Sequence, residues 1–156
     1  MSEENIIVVT GGSGRFAQSL KKTKSKYKFI YPSKNLLNIT NLNSIKKILK
    51  KVKPKSVLHL AGLSRPMIEH EKNIRKSINL NIIGTANLVN ICSELKIKLI
   101  YFSTNYVYPG KKGNYKEYDA VLPWNNYACS KLGGECAVQM LKNSLILRVC
   151  MTEKPF

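Results

Sequence analysis

Five continuous apolar runs constrain the fold of this chain more than any other feature: NIIVVT (5–10), YKFIY (27–31), SVLHLAG (56–62), KLIYFST (98–104) and SLILRV (144–149). None alternates polar with apolar residues, so each reads as a strand buried on both faces, the habit of parallel sheets. Helical segments fall between them, at 13–22, at SIKKILKKV (44–52), at about 74–95 and at about 126–142. Strand and helix in strict alternation predict βαβ units, hence an α/β, Rossmann-type, doubly wound parallel sheet with helices on both faces. Residues 105–123, with Pro109, Gly110, Gly113 and Pro123, read as loop. There are no internal repeats and no low-complexity segment. The 156 residues suffice for one domain with a real core, so residues 1–156 are read as a single unit.

No run of about 18 apolar residues exists, so no membrane span is expected. The start, MSEENIIVV, carries acidic residues where a signal peptide carries basic ones, and a cytoplasmic product is expected. The four cysteines, Cys92, Cys129, Cys136 and Cys150, form no CxxC and read as reduced thiols. The two histidines, His59 and His70, fall in no ligand pattern, so no metal site is expected. The formal charge is +17, from 26 basic and 9 acidic residues. Nearly all the basic residues are lysines spread over helix ends and loops, where a solvated face is the simplest reading. Nucleic acid is therefore not the expected partner, although a basic chain favours anionic ligands such as nucleotides.

The first run leads directly into Thr10-Gly11-Gly12-Ser13-Gly14-Arg15-Phe16-Ala17. Gly11 permits a tight turn out of the strand, Gly14 lets the backbone approach a pyrophosphate, and Ala17 lets the helix pack close to the sheet. With Gly12, Ser13, Arg15 and Phe16, this loop is the candidate cradle of a dinucleotide. Such cradles normally have an acidic residue after the second strand, where it holds the ribose 2′-hydroxyl of NAD(H). Here the stretch reads Ile30-Tyr31-Pro32-Ser33-Lys34, with no acid. Ser33, Lys34 and Arg15 suit a 2′-phosphate, which favours NADP(H) over NAD(H).

In WNNYACSK (124–131), Tyr127 and Lys131 lie one turn apart on one helix face. A Tyr hydroxyl beside a Lys ammonium is a candidate general acid. Together TGGSGRFA, HLAG, NLNIIGTANL, STNYVYPG and YACSKLGGE occur in an order that resembles the extended short-chain dehydrogenase/reductases. The likeness is greatest to the dTDP-4-dehydrorhamnose reductases and related nucleotide-sugar reductases and epimerases, and it covers essentially the whole chain. The resemblance implies that Tyr127 is the proton donor or acceptor, and that Lys131 lowers its pKa and holds the nicotinamide ribose. It also implies that Thr104, with Ser103 beside it, bonds the substrate oxygen. LNIT (37–40), with Asn38 and Ile39, is similar to the stretch that lines the adenine. Ala61 and Gly62 match small residues over which the cofactor passes, and Asn81 matches an Asn that braces the site.

The implied activity is NAD(P)-dependent reduction of a nucleotide-activated 4-keto-sugar. The alternatives are an epimerase with recycled NAD and a dinucleotide-binding module without catalysis. Sugar dehydratases of this kind carry Asp-Glu after the Thr. Asn105 and Tyr106 stand there instead, so no acid is available to protonate a leaving hydroxyl, and dehydration is disfavoured. The reductases carry Asp where Asn105 stands. The family's C-terminal region, which grips the nucleotide sugar, has no counterpart in residues 1–156. The resemblance further implies a homodimer, paired through the helices at 74–95 and around Tyr127.

Overall fold

The computed structural model describes residues 5–150. Five strands form one parallel sheet: β1 (Ile6–Thr10), β2 (Lys28–Ile30), β3 (Ser56–His59), β4 (Lys98–Thr104) and β5 (Ser144–Val149), in the order β2-β1-β3-β4-β5. Val8 lies beside Ile30 on one flank and Val57 on the other, and Leu99 pairs with Val57 in turn. All four residues of β3 are buried, as the central strand of a two-faced sheet must be.

The helices are α1 (Arg15–Lys21), α2 (Leu42–Val52), α3 (Ile68–Lys72), α4 (Ile74–Ser77), α5 (Gly84–Leu95) and α6 (Asn126–Gln139). The Asn41 side chain caps α2 by accepting from Ser44 N–H at 3.0 Å. Ile45 and Leu49, one turn apart on α2, are buried against the sheet. That helix stops at Lys53, in the left-handed region (φ 49°), just before Pro54. Leu88 and Ile91 of α5 join Val8, Val57, Leu99 and Tyr101 in the same core. Successive β4 side chains alternate between the faces. Tyr101 reaches α6, its hydroxyl donating to Lys131 O at 3.2 Å. Its neighbour Phe102 points the other way, to Phe16 of α1, with ring centroids 4.9 Å apart. Helices therefore cover both faces, as the sequence predicts.

Three local differences from the sequence reading have physical causes. The stretch 74–95 is not one regular α-helix: Ile78–Ile83 form a π-helical turn between α4 and α5. A π turn inserts a residue into the helix and turns Asn81 inward, where it is 1% exposed. The last helix ends at Gln139, earlier than predicted, and Met140 is 86% exposed beyond it. Helix α3 lies in a segment without a clear period, between Pro66 and Asn73. No helix among the described residues is long and apolar enough to cross a membrane.

The connections reverse direction between β1 and β3. Open α/β sheets take ligands at such a switch point, outside the carboxyl ends of the strands.

Candidate functional site

The glycine loop starts at that point. Gly11 has φ +71°, and a Cβ there would stand 2.7 Å from Ala61 N and 2.8 Å from its Cα, so only glycine fits between β1 and the turn after β3. Gly14 N–H closes the turn on Gly11 O at 2.9 Å. The Gln18 side chain secures the loop by donating to Gly12 O at 2.7 Å. Gly14 precedes α1 with no side chain capping the helix, and Ser13, Gly14, Arg15 and Phe16 are exposed. A Cβ on Gly12 would fall 2.9 Å from that of Tyr31, which walls the loop on the β2 side. Ser33 and Lys34 lie exposed just beyond Tyr31.

The segment after β2 is organised by its own side chains. Asn38 Oδ1 accepts from the N–H and hydroxyl of Thr40, at 3.1 and 2.9 Å. Ile39 belongs to the core: it is 4% exposed and packs on Gly84, while its carbonyl accepts from Asn87 Nδ2 at 3.0 Å. Its side chain is thereby committed away from the surface. Ala61 is half-buried and Gly62 exposed, above β3. A Cβ on Gly62 would meet Asn81 Oδ1 at 2.8 Å.

At the carboxyl end of β4 two of the three candidate catalytic residues, Thr104 and Tyr127, come together. Thr104 is 5% exposed, and its oxygen accepts from Tyr106 N–H at 3.3 Å. Tyr127 enters from the first turn of α6, which Asn125 caps by accepting from Ala128 N–H at 2.7 Å. Burial raises the Tyr127 pKa above its ordinary value and the neighbouring Tyr106 adds to this, while a hydrogen bond with Thr104 and the charge of Arg65 act the other way. Lys131 is not among the groups acting on the phenol, contrary to the expectation that its ammonium lowers the Tyr127 pKa. The reason lies in where α6 puts the amine. Lys131 is 9% exposed, with Nζ 4.1 Å above the Tyr101 ring. Burial pulls its pKa down to about 7, and the Glu135 carboxylate only partly offsets this.

Several residues of this site carry no signal in the sequence motifs. Asn81 is one that does: its amide donates to Leu63 O and to Ser130 Oγ, both at 2.8 Å, and accepts from Leu63 N–H at 2.7 Å. His70 was not singled out, yet it packs edge-on against Tyr127 with centroids 5.1 Å apart, and its Nδ1 is 2.7 Å from Ser77 Oγ. Glu135 is wholly buried and holds Arg148 through both carboxylate oxygens, at 2.8 to 3.1 Å. Arg148 in turn donates to the Tyr108 hydroxyl at 2.8 Å, tying the 105–123 loop to β5. Buried side-chain polar atoms usually have partners. Among the described residues, Tyr31 Oη, His70 Nε2 and Ser103 Oγ have none; Tyr31 lies just past β2, Ser103 near the end of β4 and His70 against Tyr127. Tyr31 and Ser103 are at the ligand end of the sheet. Together with the side-chain-free cradle at Gly11 and Gly12, they fit a bound dinucleotide.

The model of the family described as "RmlD substrate binding domain" matches residues 5–152. The chain belongs to that family. It is 28% identical to dTDP-4-dehydrorhamnose reductase of Aggregatibacter actinomycetemcomitans, over 94% of this chain and 51% of that protein. It is also 28% identical to methionine adenosyltransferase 2 subunit beta of Xenopus laevis, over 91% of this chain and 45% of that one. The crystal structure of dTDP-4-dehydrorhamnose reductase from Bacillus anthracis in complex with NADP superposes with a TM-score of 0.88 at 27% identity, covering 95% of this chain and 54% of that one. The chain thus spans about half the length of the relatives it matches.

The RmlD-type fold explains why the site gathers as it does. Its glycine loop follows β1 and Thr104 ends β4, on either side of β3, with the start of α6 beside Thr104, so residues as far apart in sequence as Gly11 and Tyr127 meet at one end of the sheet.

Proposed function

We propose that this chain is the dinucleotide-binding and catalytic half of an NAD(P)-dependent oxidoreductase that reduces a keto group on a nucleotide-activated sugar. The observation that carries this reading is the convergence of Thr104 and Tyr127 at the end of β4, with Lys131 one turn behind them. When bound, the nicotinamide cofactor supplies hydride to the carbonyl carbon. Tyr127 donates its phenolic proton to the sugar oxygen. Its raised pKa keeps the proton in place until charge develops on that oxygen. Thr104 hydrogen-bonds at the same point and fixes the direction of transfer. Lys131, close to half-charged at neutral pH, bonds the nicotinamide ribose and takes part in resupplying the proton. Gly11, Gly12, Ser13 and Gly14 receive the pyrophosphate, and Arg15, Ser33 and Lys34 favour NADP(H) over NAD(H). Substrate capture would fall to a C-terminal region of the kind that the family resemblance implies. Exposed Ile74, Ile78 and Ile83 along the 74–95 stretch suit the homodimer that the resemblance implies.

A second reading is an accessory, non-catalytic dinucleotide-binding subunit, favoured by the likeness to methionine adenosyltransferase 2 subunit beta. Titrating the chain with NADPH and NADH, and repeating this with Tyr127→Phe, separates the two. In an enzyme, Tyr127→Phe keeps dinucleotide affinity and loses turnover of a keto-sugar nucleotide by about 100-fold or more. An accessory subunit binds dinucleotide but turns nothing over in either form. If neither dinucleotide binds, even in a longer chain that includes the C-terminal half, both readings fail.

A further inference from the structure

A chain of buried hydrogen bonds crosses the core beneath the site, and only one arrangement of protons satisfies it. It begins at Thr10, the last residue of β1, whose oxygen accepts from Leu60 and Ala61 N–H at 3.2 and 3.1 Å. Its hydroxyl proton is therefore free to go to His59 Nδ1, at 2.8 Å. On the other side of the ring, Nε2 is 3.0 Å from Thr85 Oγ1. Thr85 already donates its only hydroxyl proton to Asn81 O at 2.8 Å. It can therefore only accept from the ring, and Nε2 must carry the hydrogen. From Asn81 the side-chain amide donates to Ser130 Oγ, and Ser130 donates to Tyr127 O at 2.7 Å.

His59 is 1% exposed, and its ring centroid lies 5.4 Å from that of Tyr101, the ring over which Lys131 Nζ sits. A second proton on His59 would need an acceptor at Nδ1, where Thr10 is already donating, and would set two cations around one aromatic ring. Burial and the Lys131 charge push the His59 pKa down to about 3, in line with this geometry.

We infer that His59, locked as the neutral Nε2–H tautomer, is a positioning residue that ties the strand end carrying the glycine loop to the helix carrying Tyr127 and Lys131. It touches neither cofactor nor substrate. Its task is to fix the distance between the two halves of the site, through Thr10 and Ala61 on one side and Asn81 and Ser130 on the other. The inference rests on the proposed function for the roles of Tyr127 and Lys131. The proton arrangement itself does not depend on that reading.

The first test is a long-range ¹⁵N–¹H correlation on the intact chain with labelled histidine, with His59→Gln used to assign the signal. The expected pattern at neutral pH is a protonated Nε2 and a bare Nδ1. An Nδ1–H tautomer or an imidazolium overturns the inference. The second test compares His59→Leu, which strands Thr10 and Thr85, with His59→Gln, whose amide can accept from one and donate to the other. His59→Leu is expected to weaken NADPH binding about tenfold, and His59→Gln to recover most of that loss. Equal Kd values for the parent and His59→Leu, or no recovery with Gln, reduce His59 to packing and overturn the inference. If the parent binds no dinucleotide, the proposed function has failed separately. The inference is then judged by the tautomer and by whether His59→Leu shifts the backbone amides of Tyr127 and Ser130, as it predicts.

Discussion

Lys131 makes folding stability depend on pH in a direction opposite to that of an ion-paired lysine. Its pKa falls from an ordinary 10.5 to about 7 on folding, because the amine leaves water for the Tyr101 ring. Between those two values the unfolded chain binds more protons than the folded one, so stability rises with pH. The effect is a penalty, complete below about pH 7 and fading as pH climbs toward 10.5. Each pH unit in the window is worth about 1.4 kcal/mol, reduced near pH 7 where the folded chain is itself half-protonated. From pH 7 to pH 9 the gain comes to about 2 kcal/mol. Lys131→Met keeps the length and the contact with the ring but removes the charge. Urea unfolding followed by circular dichroism at pH 7, 8 and 9 should therefore show Met the more stable at pH 7, with its advantage shrinking by about 2 kcal/mol at pH 9. Burial raises the Cys92 thiol to about 12 and raises Tyr101 as well, but both groups occur in parent and variant and cancel in the difference. A difference that stays constant across this range would refute the assignment of Lys131 as a desolvated amine.

Three further substitutions probe the frame around the site. In Gly134→Ala, the new Cβ would stand 2.5 Å from the Tyr101 hydroxyl and 2.8 Å from Asn81 O, so α6 must move off β4. Overpacking of about 1–3 kcal/mol should exceed the roughly 1 kcal/mol that Ala gains over Gly in a helix, and a melting temperature equal to the parent's would contradict this close approach. Glu135→Leu leaves the Arg148 guanidinium without its carboxylate, at an expected cost of about 3 kcal/mol, and should speed hydrogen exchange in the loop that Tyr108 anchors; unchanged exchange there would show that the pair does not hold the loop. Gly11→Ala demands a left-handed backbone and drives a Cβ into the Leu60–Ala61 backbone just after β3, so NADPH binding should vanish while the far side of the sheet stays folded. Retained affinity would remove the loop from the dinucleotide site.

The sheet was legible because parallel strands buried on both faces leave unbroken apolar runs; all five runs became strands, four within a residue at either end and the third, 56–62, stopping three residues early at His59. The π turn at Ile78–Ile83 was not, because inserting one residue into a helix leaves the apolar period almost unchanged on either side. For the site, the glycines and the Tyr-Lys spacing are local signals that single out Gly11, Tyr127 and Lys131, whereas Thr104 was reached only through the family resemblance. The electrostatics were not local. Whether Lys131 acts on Tyr127 depends on Tyr101 and Glu135, residues that no spacing rule connects to it. His59 was equally hidden, since its partners lie 49 and 26 positions away in sequence.

The same geometry bears on the choice between enzyme and accessory subunit. A module that only holds a dinucleotide needs the glycine loop and a firm sheet beneath it. Lys131 serves as a ribose contact in either case, but such a module gains nothing from a buried phenol hydrogen-bonded with Thr104 beside it. The loop and its hydrogen bonds would serve binding equally well with Phe at position 127. Desolvated, chemically poised groups that work against stability gather where reactions occur.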